Sequence, residues 1–407
     1  MGKVANTRCF KHYLHHFILK RGLRMSSLEI GSTLDRNSTE KFFIEYKGFF
    51  SNHLAHGVVA LHRLGVPNER IERFIKWYSP KLESTESDVI DDRPFEELKG
   101  QRSAYYTILK HYENLLREKY KTVDELIKHE YPDVSNGLCG SALHGTIHLG
   151  YGYSVQNERI ILEGLAYTYH SYRPIVMTKS EEDLAAFGKG TVDITEALKS
   201  LHLKKDLSVN MEAAIKEDRW KPLKLGRFQL RVFYMLTDHG DFLTDMVLSL
   251  AFGPEVRTAD GSLDPVKFGR RLVYLSMTVY ALAANRNDFF LLHGVTCAWG
   301  LHMIMPLMSK ENGIKTARDY LTVLLAVYVA VGSPELNVPL SENEFTDKDW
   351  TEHIAKTVEV DRDEHCYKLV QVCYEMAKDA GEHGEDPKVY SQAAKSAIDH
   401  ELYFYTG

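Results

Sequence analysis

Between residues 49 and 64 the apolar positions Phe50, Leu54, Val58, Leu61 and Leu64 keep a three-to-four spacing. That spacing predicts a helix, stopped by Gly65-Val66-Pro67. A second helix is expected over about 69–78, ending at Ser79-Pro80, and the acidic stretch 83–94 reads as a surface loop. An amphipathic helix over 102–119, a short one over 122–129 and a glycine-containing loop over 134–140 follow. Residues 142–172 read as one or two helices around Gly150 and Gly152. Residues 178–225 are the most polar stretch and predict short helices in loops, forming a lid or a small subdomain. Three strongly apolar helices are expected over 272–284, 289–308 and 319–331, then two more over 361–380 and 390–400. Sustained alternation of apolar and polar residues is missing, and there is no internal repeat. The fold class is therefore all-α, a single large multi-helical domain with buried central helices. Residues 40–407 would form it, behind a basic N-terminal extension over 1–39.

The stretch 289–308 has twenty residues without Asp, Glu, Lys or Arg, the length of a membrane span. It also holds His293, Gly294, Gly300, His302 and Pro306, and Arg286 and Asp288 press on its start. A buried central helix explains it better than stable membrane insertion. The first 27 residues carry six Lys or Arg and no acid, which fits a basic extension in a cytoplasmic protein, with a mitochondrial address as the alternative. A net charge of −6 with no basic stripe argues against a nucleic-acid partner. The cysteines Cys9, Cys139, Cys297, Cys366 and Cys373 are odd in number, scattered and without a CxxC pair, so they read as reduced thiols. The 23 tyrosines and 18 phenylalanines suit a cavity for flat hydrophobic molecules, and an ordinary core equally well.

The candidate chemistry lies in the histidines. Of nineteen, His12, His15, His16, His111, His129, His202, His383 and His400 stand in polar contexts and are expected at the surface. Others fall within apolar helical runs, where each ring nitrogen needs a partner. His53 and His56 are three apart, and His144 and His148 are four apart, so each pair shares a helix face. His293 sits in the least polar helix, and His365 and Lys368 share a face with Leu369 and Val372. An i,i+4 spacing is common for paired metal ligands. Ordinary alternatives exist: a helical His is more often a hydrogen-bonded core residue, His148 and His170 would serve as helix bridges, and Lys368 would pair with Glu364 in solvent.

At these stretches the chain resembles the questin-oxidase-like family, whose fungal members oxidatively open anthraquinone-type rings. The matching text is Ser-Asn-His-Leu-Ala-His from Ser51, Leu-His-Gly-Thr-Ile-His-Leu-Gly-Tyr-Gly from Leu143 and Glu-Gly-Leu-Ala-Tyr from Glu163. Phe-Phe-Leu-Leu-His-Gly-Val-Thr from Phe289 and Asp-Glu-His-Cys-Tyr-Lys-Leu from Asp363 complete the ordered set. The resemblance implies a mononuclear Fe(2+) site with four histidines and a lysine carbamate. Carried over motif by motif, these are His53, His144, His293 and His365 with Lys368, and His56 or His148 could replace a neighbour. Leu-Ala-His at Leu54 departs from the fungal Leu-Pro-His, which bears on the substrate more than on the metal.

Four neutral imidazoles leave a divalent charge uncompensated in a dry core, and a carbamate on Lys368 would add an anionic oxygen ligand. Burial favours the neutral amine from which the carbamate forms. Glu163 and His148 are candidates for orienting a ligand or moving a proton. The expected activity is an oxidase that uses O2 on a small hydrophobic or aromatic substrate, by ring C–C cleavage or by Baeyer–Villiger-type insertion. Lacking a GxGxxG turn after a strand, the chain would take electrons from external NADPH if it needs them. The rival classes are a non-catalytic helical binder of hydrophobic small molecules and a membrane-associated helical protein.

Overall fold

The computed structural model describes residues 26–85 and 90–405. Most of the expected basic extension (1–25, with Cys9, His12, His15 and His16) lies outside the described residues, as does 86–89 of the acidic loop. The helices are α1 (Ser27–Asp35), α2 (Leu54–Arg63), α3 (Asn68–Tyr78), α4 (Tyr105–Leu115), α5 (Val123–Glu130) and α6 (His144–Ser154). They continue with α7 (Glu158–His170), α8 (Glu181–Leu184), α9 (Ile194–Leu203), α10 (Lys205–Ala214), α11 (Arg227–Asp238) and α12 (Gly240–Leu248). The last six are α13 (Pro265–Leu282), α14 (Phe289–Ile304), α15 (Lys310–Ala330), α16 (Asp347–Glu359), α17 (Glu364–Ala377) and α18 (Pro387–Asp399). Among the described residues the sheet is a single antiparallel hairpin, β1 (Glu45–Tyr46) and β2 (Phe50–Ser51). The all-α expectation holds.

One hydrophobic core runs through the described chain. It takes in Leu61, Ile147, Leu292, Val327 and Val372, and also Ile194, Leu198, Leu201 and Met211 of the polar stretch 178–225. Helix α14 lies near its centre, packed against α6, α13, α15 and α17. The stretch Phe289–Leu307 is, among the described residues, the one helical stretch long and apolar enough to cross a membrane. Its most apolar part is 72% buried inside the protein, as expected for a core helix.

Small residues set how closely these helices approach. A Cβ at Gly150 would fall 2.2 Å from the Gly300 Cα, so α6 and α14 cross almost backbone to backbone. A Cβ at Gly164 would meet the Leu149 backbone at 2.4 Å, which closes α7 onto α6. The glycines therefore serve packing here.

Two expectations change. The helix predicted from residue 49 begins only at Leu54, because Phe50–Ser51 pairs with Glu45–Tyr46 as a hairpin. His53 thus stands as the residue just before α2, not within it. Helices α1, α11, α12 and α16 have no counterpart among the predicted elements.

Candidate metal centre

Helices α2, α6, α14 and α17 pack in a ring, α2 on α6, α6 on α14, α14 on α17 and α17 on α2. Each brings one histidine from its N-terminal end. His53 precedes α2, His144 opens α6, His293 is in the second turn of α14, and His365 is the second residue of α17. The four rings are buried, and one ligand atom from each lies within 4.8 Å of all the others. The Nε2 atoms of His53 and His144 are 2.5 Å apart, those of His144 and His293 3.2 Å, and those of His293 and His365 3.2 Å. Two nitrogens held at about 2.1 Å by one metal ion stand about 3.0–3.4 Å apart, as the His144–His293 and His293–His365 pairs do, and His53 and His144 lie closer.

The other nitrogen of each ring faces away from that point and is held by an oxygen. His144 Nδ1 lies 2.6 Å from the Ser141 carbonyl, and His293 Nδ1 2.6 Å from the Phe289 carbonyl. A carbonyl only accepts, so both Nδ1 atoms carry the hydrogen, which leaves each Nε2 with a bare lone pair. His365 Nδ1 donates to the Asp363 carboxylate, and His53 Nδ1 lies 2.5 Å from Glu364 Oε1. The backbone before α6 is shaped for this: Ser141, Ala142 and Leu143 all have positive φ (45°, 53° and 73°). Three such non-glycine residues in a row are strained, and the turn they make sets the Ser141 carbonyl on the His144 ring.

Converging lone pairs repel unless a cation lies among them. Protons do not serve, because burial first, and then charges that include Lys368, hold all four histidines below the ordinary value of 6.5. Burial and the adjacent Asp363 push Glu364 up to about 8, the mark of a carboxylate short of positive charge. A divalent ion among the imidazoles would restore the anion that accepts from His53. Lys368 is fully buried and its Nζ has no hydrogen-bond partner. Burial pushes it down to about 8, against the pull of Glu364 and Asp363. It makes no solvent-facing pair with Glu364, which bonds His53 instead. The donor set of four imidazoles fits a metal ion, and the amine of Lys368 is a buried polar group left without a partner.

His56 and His148 lie outside this group. His56 Nε2 is 3.0 Å from His148 Nδ1, and His148 Nε2 is 3.2 Å from Glu163 Oε2. Glu163 also accepts from the Thr39 backbone N–H (2.7 Å), the Thr39 hydroxyl (2.6 Å) and Arg159 Nε (3.0 Å). Arg159 reaches the half-buried Glu113 at 2.6 Å. Burial pushes Glu163 up, yet His148, Arg159 and Thr39 together hold it below the ordinary carboxylate value. The carboxylate fixes the hydrogen on His148 Nε2, so His148 Nδ1 accepts from His56, whose own Nδ1 is buried and without a partner. His170, named above as a possible bridge, is buried with neither ring nitrogen partnered.

Above the imidazoles lies a cavity of about 550 Å³ that His53, His144 and His365 help to line. Its walls include Phe49, Phe50, Phe228, Phe289, Phe290 and Phe404. Phe228 stacks on Phe290 at 3.6 Å, and Phe289 meets Phe404 at 4.5 Å. Sequence reasoning missed Asp363 and Glu364 as site residues. Two acids directly before His365 at a helix start were the available signal. The Ser141 and Phe289 carbonyls leave no such mark.

Fold and site together define a helical protein with a buried, histidine-rich centre suited to a metal ion, open to an aromatic pocket. The chain belongs to the questin oxidase-like family, whose model matches residues 50–373, a membership that points to an oxidase. No curated protein matches the chain.

Proposed function

We propose that the protein is an iron-dependent oxidase that uses O2 on a flat, hydrophobic, aromatic substrate of polyketide type, by ring cleavage or by insertion beside a carbonyl. The observation that carries this reading is the convergence of four Nε2 atoms beside an aromatic cavity that three of the rings help to line. His53, His144, His293 and His365 would hold the ion, and Lys368, as its carbamate, would add a negative oxygen. Iron bound there would supply the redox chemistry and the activation of dioxygen. The phenyl walls bind the ring face and exclude water. Asp363 and Glu364 fix the orientation of two imidazoles. His56, His148 and Glu163 form a buried hydrogen-bonded series beside the imidazoles, along which His148 would pass a proton to Glu163. Any reductant, NADPH included, would be supplied from outside the chain.

The test is anaerobic purification, loading with ferrous iron, and oxygen uptake with a panel of anthraquinones and smaller polycyclic phenols. Substrate-dependent uptake that requires iron is expected. Folded protein that holds no iron, manganese or zinc would overturn the reading. A non-catalytic binder would instead bind the panel without consuming oxygen, metal-loaded or not.

A further inference from the structure

The pocket above the imidazoles is apolar around its sides, and most of its polar groups are already engaged. The Ser51 hydroxyl pairs with Tyr167 at 2.5 Å, and the Ser141 hydroxyl donates to Glu45 at 3.1 Å. Asp363 and Glu364 hold imidazoles, and Arg227 is bound to Glu212. Gln229 differs. It lines the same cavity, is 7% exposed, and its side-chain carbonyl has no hydrogen-bond partner. Among the described lining residues, no other has a buried, unpartnered side-chain nitrogen or oxygen. A buried carbonyl without a donor is costly, and because the Gln229 oxygen is closed off from water in this structure, a ligand in the cavity supplies the missing hydrogen by turning the side-chain amide toward itself.

The position is also rigid. Gln229 lies in the first turn of α11, and two residues on, Arg231 is buried, bonding Glu212 at 2.5 Å and the Ala330 carbonyl at 3.3 Å. Phe228, its chain neighbour, is the ring stacked on Phe290. One short segment therefore presents an aromatic face and, next to it, an acceptor.

We propose that Gln229 sets the specificity of the pocket by accepting a hydrogen bond from a hydroxyl or amine on the rim of a flat aromatic ligand. The inference rests on the reading of this cavity as the substrate pocket. Rings of the same size that lack a donor leave the carbonyl dry and unpaired, and are rejected. Sites that hydrogen-bond a substrate group discriminate against analogues lacking it far more strongly than apolar walls discriminate by size.

The experiment compares 2-naphthol with 2-methoxynaphthalene, matched in shape but with and without a donor, by calorimetric titration of the full-length protein. Wild type is expected to bind 2-naphthol at least about tenfold more tightly. Gln229→Leu should remove the difference, and Gln229→Glu, which keeps an acceptor, should keep it. Equal affinities in wild type, no binding of either probe, or an undiminished preference in Gln229→Leu would overturn the proposal. Circular dichroism of each variant checks folding, and Gln229→Met stands in if Gln229→Leu does not fold. Metal per chain is measured on the same samples. Discrimination without metal would sink the oxidase reading and support the role of Gln229, while full metal without discrimination would do the reverse.

Discussion

Among the described residues two buried histidine assemblies share two stretches of sequence and are wired in opposite ways. His53 and His56 are one turn apart, as are His144 and His148, and each pair contributes one ring to each assembly. In the first assembly every Nδ1 is held by an oxygen and the Nε2 atoms face one another. In the second the rings donate to each other in series and end on Glu163. Imidazoles whose hydrogens are all drawn outward leave a centre that lacks only a cation. Imidazoles in series leave a chain that ends on a carboxylate at one side and on the buried, unpartnered Nδ1 of His56 at the other. Spacing places both pairs on helices, but the partners of the second nitrogen decide which becomes a ligand set.

The largest effect expected from this difference is on metal content. His144→Ala or His293→Ala should reduce bound metal from about one per chain to almost none, whereas His148→Ala should keep it, measured by plasma mass spectrometry on dialysed protein. Equal loss in all three would erase the distinction between the assemblies.

Next comes Lys368. Replacing it with Met removes a buried, unpartnered amine, so metal-free Lys368→Met should melt higher than metal-free wild type, by roughly 1–3 kcal/mol of stability. Metal affinity should fall in the same variant. The carbamate needs the neutral amine, which is lowered to about 8 by burial, so bicarbonate should promote metal loading at pH 8.5 and do little at pH 6.5. Loading that ignores bicarbonate at both values would reject the carbamate and leave the imidazoles standing.

Glu364→Gln keeps an acceptor for His53 but removes its charge, and metal affinity should fall by about 10–100-fold. Competition with a chelator reads this directly. The smallest effect belongs to Glu163. Its carboxyl is held below 4.5 in the fold, so the stability it contributes is present above 4.5 and is lost as pH falls through its lower folded value. Glu163→Gln should therefore flatten the acid limb of the stability curve below pH 4.5 while leaving metal content unchanged. An unaltered acid limb would show that Glu163 is not held as described.

Much of this fold was legible because its central helices are uniformly apolar. The runs around Leu292 and Val327 could be nothing but buried helices or membrane spans. Helices α11 and α16 escaped for the opposite reason. Gln229 and Arg231 in α11, and His353 and Thr357 in α16, are buried polar residues that blur the apolar stripe. Phe49 and Phe50 misled in a different way, mimicking a helix start while lining the pocket half-exposed at 37% and 47%. The four histidines and Lys368 were reached through family resemblance, since remote positions carry no spacing between them. What the chain could not disclose is the set of backbone carbonyls that turn two of the rings, which only the folded turn at Ser141–Leu143 and the first turn of α14 create.

The most direct test of the central claim is X-ray absorption at the metal edge of freshly purified, full-length protein. The account predicts one ion per chain surrounded by four imidazole nitrogens at about 2.0–2.2 Å. An ion bound by sulfur or by carboxylates without imidazole, or a folded chain with no ion at all, would contradict it.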